Sequence, residues 1–149
     1  MKSIHEKTTN ELLKLLSSVN TEEQLKEYTE HLKEQSAPQT FHGYLNELIQ
    51  KYNHSNSIAS VIEKSLIQRN YGYQILNGTR LPGRDKIVAL SLALNLSLKE
   101  TQRALTLAGE NILYSRSRRD SILIFALQKQ LSVQNTNELL FQFEEAILE

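Results

Sequence analysis

Residues 57–82 read S-I-A-S-V-I-E-K-S-L-I-Q-R-N-Y-G-Y-Q-I-L-N-G-T-R-L-P. Apolar residues recur at helical spacing on both sides of Leu66-Ile67, and Asn77-Gly78 supplies a helix stop. The stretch predicts two short helices joined by a tight turn at Leu66-Ile67, with a basic loop at residues 79–82 after them. That is the outline of a helix-turn-helix. The second helix of such a unit, starting near Gln68, can enter the DNA major groove and present its N-terminal side chains to base edges. No other segment carries competing chemistry.

Outward from this stretch, nearly every segment repeats its apolar residues at three- and four-residue spacing, and only 2 prolines and 5 glycines interrupt the pattern. The fold class expected is all-α. A first helix is expected over residues 9–17, with Leu12, Leu13 and Leu16 on one side. A second follows Thr21, whose T-E-E-Q fits a capping box, and carries Leu25, Tyr28 and Leu32. Residues 35–39, Q-S-A-P-Q, form a linker, after which Thr40 caps a helix bearing Phe41, Tyr44, Leu45, Leu48, Ile49 and Tyr52. A polar turn, N-H-S-N at residues 53–56, leads into the helix pair. After Pro82 comes a helix with Ile87, Leu90 and Leu94, then one opened by the capping box Ser97/Glu100 and closed near Gly109. Two further amphipathic helices are expected over 117–130 and 132–147. The division expected is an N-terminal helical appendage (1–39), a DNA-binding core (40–96) and a C-terminal helical extension (97–149) for packing or dimerisation.

The chain has 149 residues, enough to bury a core, and no cysteine, so disulfides, thiolate metal sites and cysteine nucleophiles are excluded. The N-terminus lacks the apolar run of a signal peptide, and no segment has a membrane span's unbroken apolar length. A cytoplasmic location is expected. Net charge is zero but unevenly placed: residues 1–66 hold 7 basic and 9 acidic side chains, residues 67–130 hold 10 and 4, and residues 131–149 hold 0 and 4. Phosphate binding depends on local potential, and the central excess of +6 contains the expected reading helix.

Val61-Ile62, Ile67, Ile75, Asn77-Gly78, Pro82 and the run 87–94 fall, without gaps, where the phage repressor and Cro class has its signature residues. The sequence resembles that xenobiotic-response-element (XRE) helix-turn-helix family over residues 40–96. The resemblance implies a lambda-repressor-like five-helix bundle with extra N- and C-terminal helices, and a transcriptional regulator, most simply a repressor. It implies base reading by Arg69, Asn70, Tyr73 and Gln74, and backbone contacts near Ile58, Gln68, Thr79, Arg80, Arg84 and Lys86. Arginine can fork onto guanine, and asparagine or glutamine onto adenine, each pair discriminating by about 1–3 kcal/mol. Double-stranded DNA and a second copy of the chain are the implied partners, with Leu12–Leu16 or Leu139–Ile147 as candidate dimer seams. No cofactor is implied.

Four positions depart from the family pattern. The turn glycine is Leu66, which suits a turn without positive φ; Gly72 replaces an inward branched residue, leaving space for Tyr71 or Tyr73 to fill; Leu76 stands for an acid; Gly83 replaces a hydroxyl cap. With Y-G-Y in the reading helix, the alternative is a protein-interaction module, antitoxin-like or adaptor, with tyrosine anchors on a degenerate helix-turn-helix. Arg116, Arg118 and Arg119 oppose the dipole of the helix they open and call for a partner charge; the acidic C-terminal helix of the same chain is the favoured one. His5, His31, His42 and His54 show no metal-ligand spacing, and no phosphate loop or nucleophile elbow occurs. An enzyme is not expected.

Overall fold

The computed structural model describes residues 8–35, 39–52 and 57–149, and every regular element among them is helical. In chain order these are α1 (Thr9–Ser17), α2 (Glu22–Gln35), α3 (Phe41–Tyr52), α4 (Ile58–Lys64), α5 (Arg69–Leu76), α6 (Arg84–Ala93), α7 (Leu98–Leu107), α8 (Arg118–Gln128) and α9 (Val133–Gln142). The chain divides into two compact units, Met1–Gln39 and Thr40–Glu149. Linker residues 36–38, the turn 53–56 and the N-terminal residues 1–7 lie outside the described residues. No described helix is long and apolar enough to cross a membrane.

In the first unit, Thr8 caps α1 by accepting from the Glu11 N–H at 3.1 Å, and Thr21 caps α2 by accepting from the Gln24 N–H at 3.1 Å. The Gln24 side chain returns to the Asn20 N–H at 2.8 Å, one residue before the position a capping box would use. None of the α1 side chains is buried.

The second unit is built around α6. Ile87, Val88, Ala89, Leu90, Ser91 and Leu92 are six consecutive buried residues, so this helix is enclosed on all sides. Its one buried hydroxyl, Ser91 Oγ, donates to the Ile87 carbonyl at 2.8 Å and leaves nothing unsatisfied. Helices α4, α7, α8 and α9 all pack on it, and α3 packs on α5 and α7 through Leu45, Leu48 and Ile49. Asn46 of α3 donates to the Leu76 carbonyl at 2.8 Å, pinning the end of α5.

Of the two roles expected for residues 97–149, packing is the one the contacts show, and residues 40–149 form one compact unit. With α6 apolar all round, α8 and α9 are needed to cover it, and Leu123, Ala126, Val133 and Leu140 join the same core as Val61 and Ile75. The expected helix over 132–147 also stops earlier. Glu144 turns left-handed at φ 59°, its successor donates to the Leu140 carbonyl at 2.9 Å, and the last residues run back to bury Leu148.

The α4–α5 pair differs from expectation at two residues. Leu66 does adopt a positive φ, 60°, and its side chain remains 63% exposed. A non-glycine residue there is strained by about 1–2 kcal/mol. Gly72 leaves no gap for a tyrosine to fill, because Ile62 already occupies the space: a Cβ on Gly72 would lie 2.5 Å from Ile62 Cγ2 and 2.9 Å from Cγ1. Glycine at this site lets α4 and α5 approach closely, which outweighs its low helix propensity.

Gly72→Ala is therefore expected to destabilise the fold by about 1–3 kcal/mol through overpacking, the opposite sign to an unobstructed helical site. Urea unfolding of Gly72→Ala, Ile62→Ala and the double variant checks this: the double variant should be more stable than the sum of the two single losses. Leu66→Gly should keep or raise stability, since relief of the left-handed strain offsets about 1 kcal/mol of added backbone entropy in the unfolded chain.

Candidate nucleic-acid interface

Helix α5 buries Gly72, Ile75 and Leu76 on one side. Arg69, Asn70 and Tyr73 are exposed on the other, with Gln74 half-buried beside them. Positions i, i+1, i+4 and i+5 form one strip along a helix surface, so the four expected reading residues are brought together. The Arg69 guanidinium carbon sits 5.8 Å from the centroid of the Tyr73 ring, a cation–π contact within the strip. Gln68 caps the helix by accepting from the Tyr71 N–H at 2.9 Å, so its side-chain oxygen is occupied.

The helix ends as Asn77-Gly78 foretells. Gly78 is left-handed at φ 83°; Thr79 N–H donates to the Gln74 carbonyl at 3.0 Å and Gly78 N–H to the Ile75 carbonyl at 3.3 Å. This is a Schellman motif. His42 packs closely here, since a Cβ on Gly78 would lie 2.7 Å from His42 Cε1. Thr79 and Arg80 are exposed, and buried Pro82 anchors the loop before α6.

Two of the expected phosphate contacts converge on Tyr71, one of the two tyrosines expected to fill the space at Gly72. Arg80 lies 5.9 Å and Lys86 5.6 Å from the centroid of the Tyr71 ring, one arriving from the loop and the other from α6. Among the described residues neither cation is in an ion pair. Half-buried Tyr71 thus holds two positive charges beside the strip on α5, an arrangement that depends on where the loop returns the chain to α6 and leaves no local signal in the sequence.

Arg84 is not available for phosphate, which corrects its expected role. Its guanidinium forks onto Asp120 at 2.9 and 2.7 Å and also donates to the carbonyls of Asn111 at 2.9 Å and Ile112 at 2.8 Å. The neighbouring pair is the mirror of this one: Arg119 forks onto Asp85 at 3.0 and 2.9 Å. The dipeptide Arg-Asp thus lies in the first turn of both α6 and α8, and each arginine takes the other helix's aspartate. The carboxylates favour these helix starts and the arginines oppose them, so cross-pairing resolves the dipole conflict. The repeat of Arg-Asp at 84–85 and 119–120 was the available signal.

Arg119 also donates to the carbonyls of Ala146 at 2.9 Å and Ile147 at 3.3 Å. Arg118 donates to the Phe143 carbonyl at 2.9 Å and pairs with Glu145 at 3.4 Å. The C-terminal segment is thus a partner of both arginines, but the charge opposite Arg119 is Asp85. Arg116 is exposed and has no ion pair among the described residues.

Two carboxylates in this unit titrate abnormally. Burial opposes ionisation of Asp120, but the Arg84 fork, the Tyr114 N–H and the charges of Arg84 and Arg119 outweigh it and hold its pKa below the ordinary value of 3.8. Burial likewise opposes ionisation of Glu100, but hydrogen bonds from the Ser97 backbone, the Tyr52 hydroxyl at 2.8 Å and the Ser97 side chain, with the charge of Lys51, hold its pKa below 4.5. Among the described residues no cluster of His, Asp and Glu is arranged to hold a metal ion.

Comparison with family models, curated proteins and solved structures finds no match for this chain.

Because both folded pKa values lie below the unfolded ones, the stability these groups contribute is complete above about pH 5. It should decline as pH falls through 4.5 and 3.8 toward the depressed folded values. Urea midpoints measured from pH 7 to pH 3 check this, and Asp120→Asn should flatten part of the slope. At pH 7, Arg84→Ala should cost about 3 kcal/mol, because Asp120 is left buried without its counter-charge.

Proposed function

We propose that this protein is a sequence-specific DNA-binding transcriptional regulator of the phage repressor type, with α3 to α7 as its five-helix DNA-binding core and α5 as the reading helix. The observation that carries the reading is the strip of exposed Arg69, Asn70 and Tyr73 with half-buried Gln74, bordered by Arg80 and Lys86 on Tyr71. In this proposal Arg80 and Lys86 grip phosphates and set the register of α5, while Arg69, Asn70 and Gln74 bond base edges in the major groove. Thr79, at the exposed start of the loop, contributes a neutral backbone contact. Arg84 is left out of the interface.

One such helix reads only a few base pairs, so the proposal includes a homodimer on two half-sites about 34 Å apart. It includes a cytoplasmic site of action and assigns no catalytic step. A protein-interaction module on the same scaffold is the second reading, favoured by Tyr73, which is 38% exposed and could anchor a partner.

The test is selection of binding sites from fragmented genomic DNA at moderate salt, with Arg69→Ala/Asn70→Ala/Gln74→Ala run in parallel. Enrichment of one paired motif by the wild type alone is the expected result. Enrichment by neither protein would overturn the reading and turn attention to protein partners of α5. On a selected site, Arg80→Gln/Lys86→Gln should weaken binding uniformly across sequences and reduce the log–log salt slope by about 2. An interaction module would show neither effect.

A further inference from the structure

The Tyr71 ring is held by the fold and shared by two cations. Its N–H donates to the Gln68 side chain at 2.9 Å in the first turn of α5, and its half-buried ring packs against the apolar core. Arg80 comes to that ring from the loop after α5, at 5.9 Å from the centroid, and Lys86 from the first turn of α6, at 5.6 Å. Both side chains are long and rotamer-rich, so each loses conformational freedom in reaching a fixed place.

A ring orients a cation differently from a carboxylate. Pairing with Asp or Glu would fix each side chain but cancel its charge, whereas an aromatic face attracts a cation through its quadrupole and carries no net charge. Both positive charges are therefore kept for an outside anion. Two carboxylates line one cleft with Lys86, namely Asp85 and Glu149. Asp85 is committed to Arg119, and Glu149 is in no ion pair among the described residues. Neither cancels the charge of Lys86 by contact, and Arg80 is unpaired in the same sense.

We propose that Tyr71 is the positioning residue of the phosphate grip: its ring, rather than its hydroxyl or a contact of its own with DNA, sets Arg80 and Lys86 for the nucleic-acid backbone. This rests on the DNA-binding reading of α5 and adds to it the residue that ties the loop and α6 into one contact. Immobilising long side chains opposes binding, and here two of them arrive already ordered. The effect of the ring is on affinity alone. It adds no charge and reads no base, so it leaves the salt slope and the sequence preference to other residues.

Fluorescence anisotropy over a salt series tests this on a duplex carrying the selected motif, or on a random-sequence duplex at low salt where selection yields none. Urea unfolding verifies the fold of each variant. Tyr71→Leu, which keeps an apolar side chain, should weaken binding by about three- to tenfold at every salt concentration, with the slope and base preference of the wild type. Tyr71→Phe should bind as the wild type does. In the Arg80→Gln/Lys86→Gln background Tyr71→Leu should cost nothing further, because the ring has no cation left to set, whereas a purely structural loss would carry over undiminished. In the free protein the side-chain methylene protons of Arg80 and Lys86 should be shifted upfield by the ring in the wild type and Tyr71→Phe, and not in Tyr71→Leu. Weakened binding by Tyr71→Phe, an altered slope or base preference in Tyr71→Leu, a full loss in the double background, or absent ring shifts each overturn the proposal while the DNA-binding reading stands. A wild type that binds neither duplex overturns that reading, and this inference with it.

Discussion

The crossed pairing of two Arg-Asp dipeptides is the constraint on which the second unit depends. Arg84 and Asp85 lie in the first turn of α6, Arg119 and Asp120 in the first turn of α8, and each arginine forks onto the other helix's aspartate. Such pairs return little net stability once desolvation is counted, but they permit few alternative alignments, because shifting either helix by one residue breaks both forks. The same guanidinium groups hold the carbonyls of residues 111, 112, 146 and 147, so the connection before α8 and the C-terminal segment after α9 are registered by the same contacts. Since α6 begins directly after the loop that follows α5, fixing its first turn also fixes where that loop returns. Lys86 and Arg80 reach Tyr71 as a consequence.

Within that frame the α4–α5 pair combines one close fit with one strained turn. Ile62 fills the place a side chain at position 72 would take, so the two short helices lie closer than branched residues at both positions would allow. The close approach helps to give helices of 7 and 8 residues, too short to persist alone, a fixed geometry. The turn between them uses Leu66 where glycine would be free of strain.

Much of this was legible residue by residue. Ser57, Ser97, Ser117 and Ser132 each cap a helix, and Ser97 with Glu100 forms the full capping box that S-L-K-E announces. Asn77-Gly78 ends α5 in the expected left-handed turn. The choice of Arg69, Asn70, Tyr73 and Gln74 came from the family resemblance, and helical spacing puts them on the side of α5 away from buried Ile75. The end of α9 was not legible, because Glu144 in a left-handed conformation looks like any other polar residue of an amphipathic run. Nor was Gly72, which reads as a packing defect until Ile62 is seen against it.

By itself, then, the sequence determined the all-helical class, the position of most helix starts, and the concentration of positive charge around residues 67–130. These are properties of neighbouring residues, set by backbone hydrogen bonding at helix ends and by 3.6-residue periodicity. Tertiary structure alone decided which arginines are spent inside the fold and which stay free. Arg84 and Arg80 are four residues apart and equally basic, yet one is locked to Asp120 and the other rests on Tyr71 at the surface of α5. The difference arises from partners 36 residues away in one case and 9 in the other. Chain entropy keeps such contacts from forming until the helices pack, so no local pattern records them.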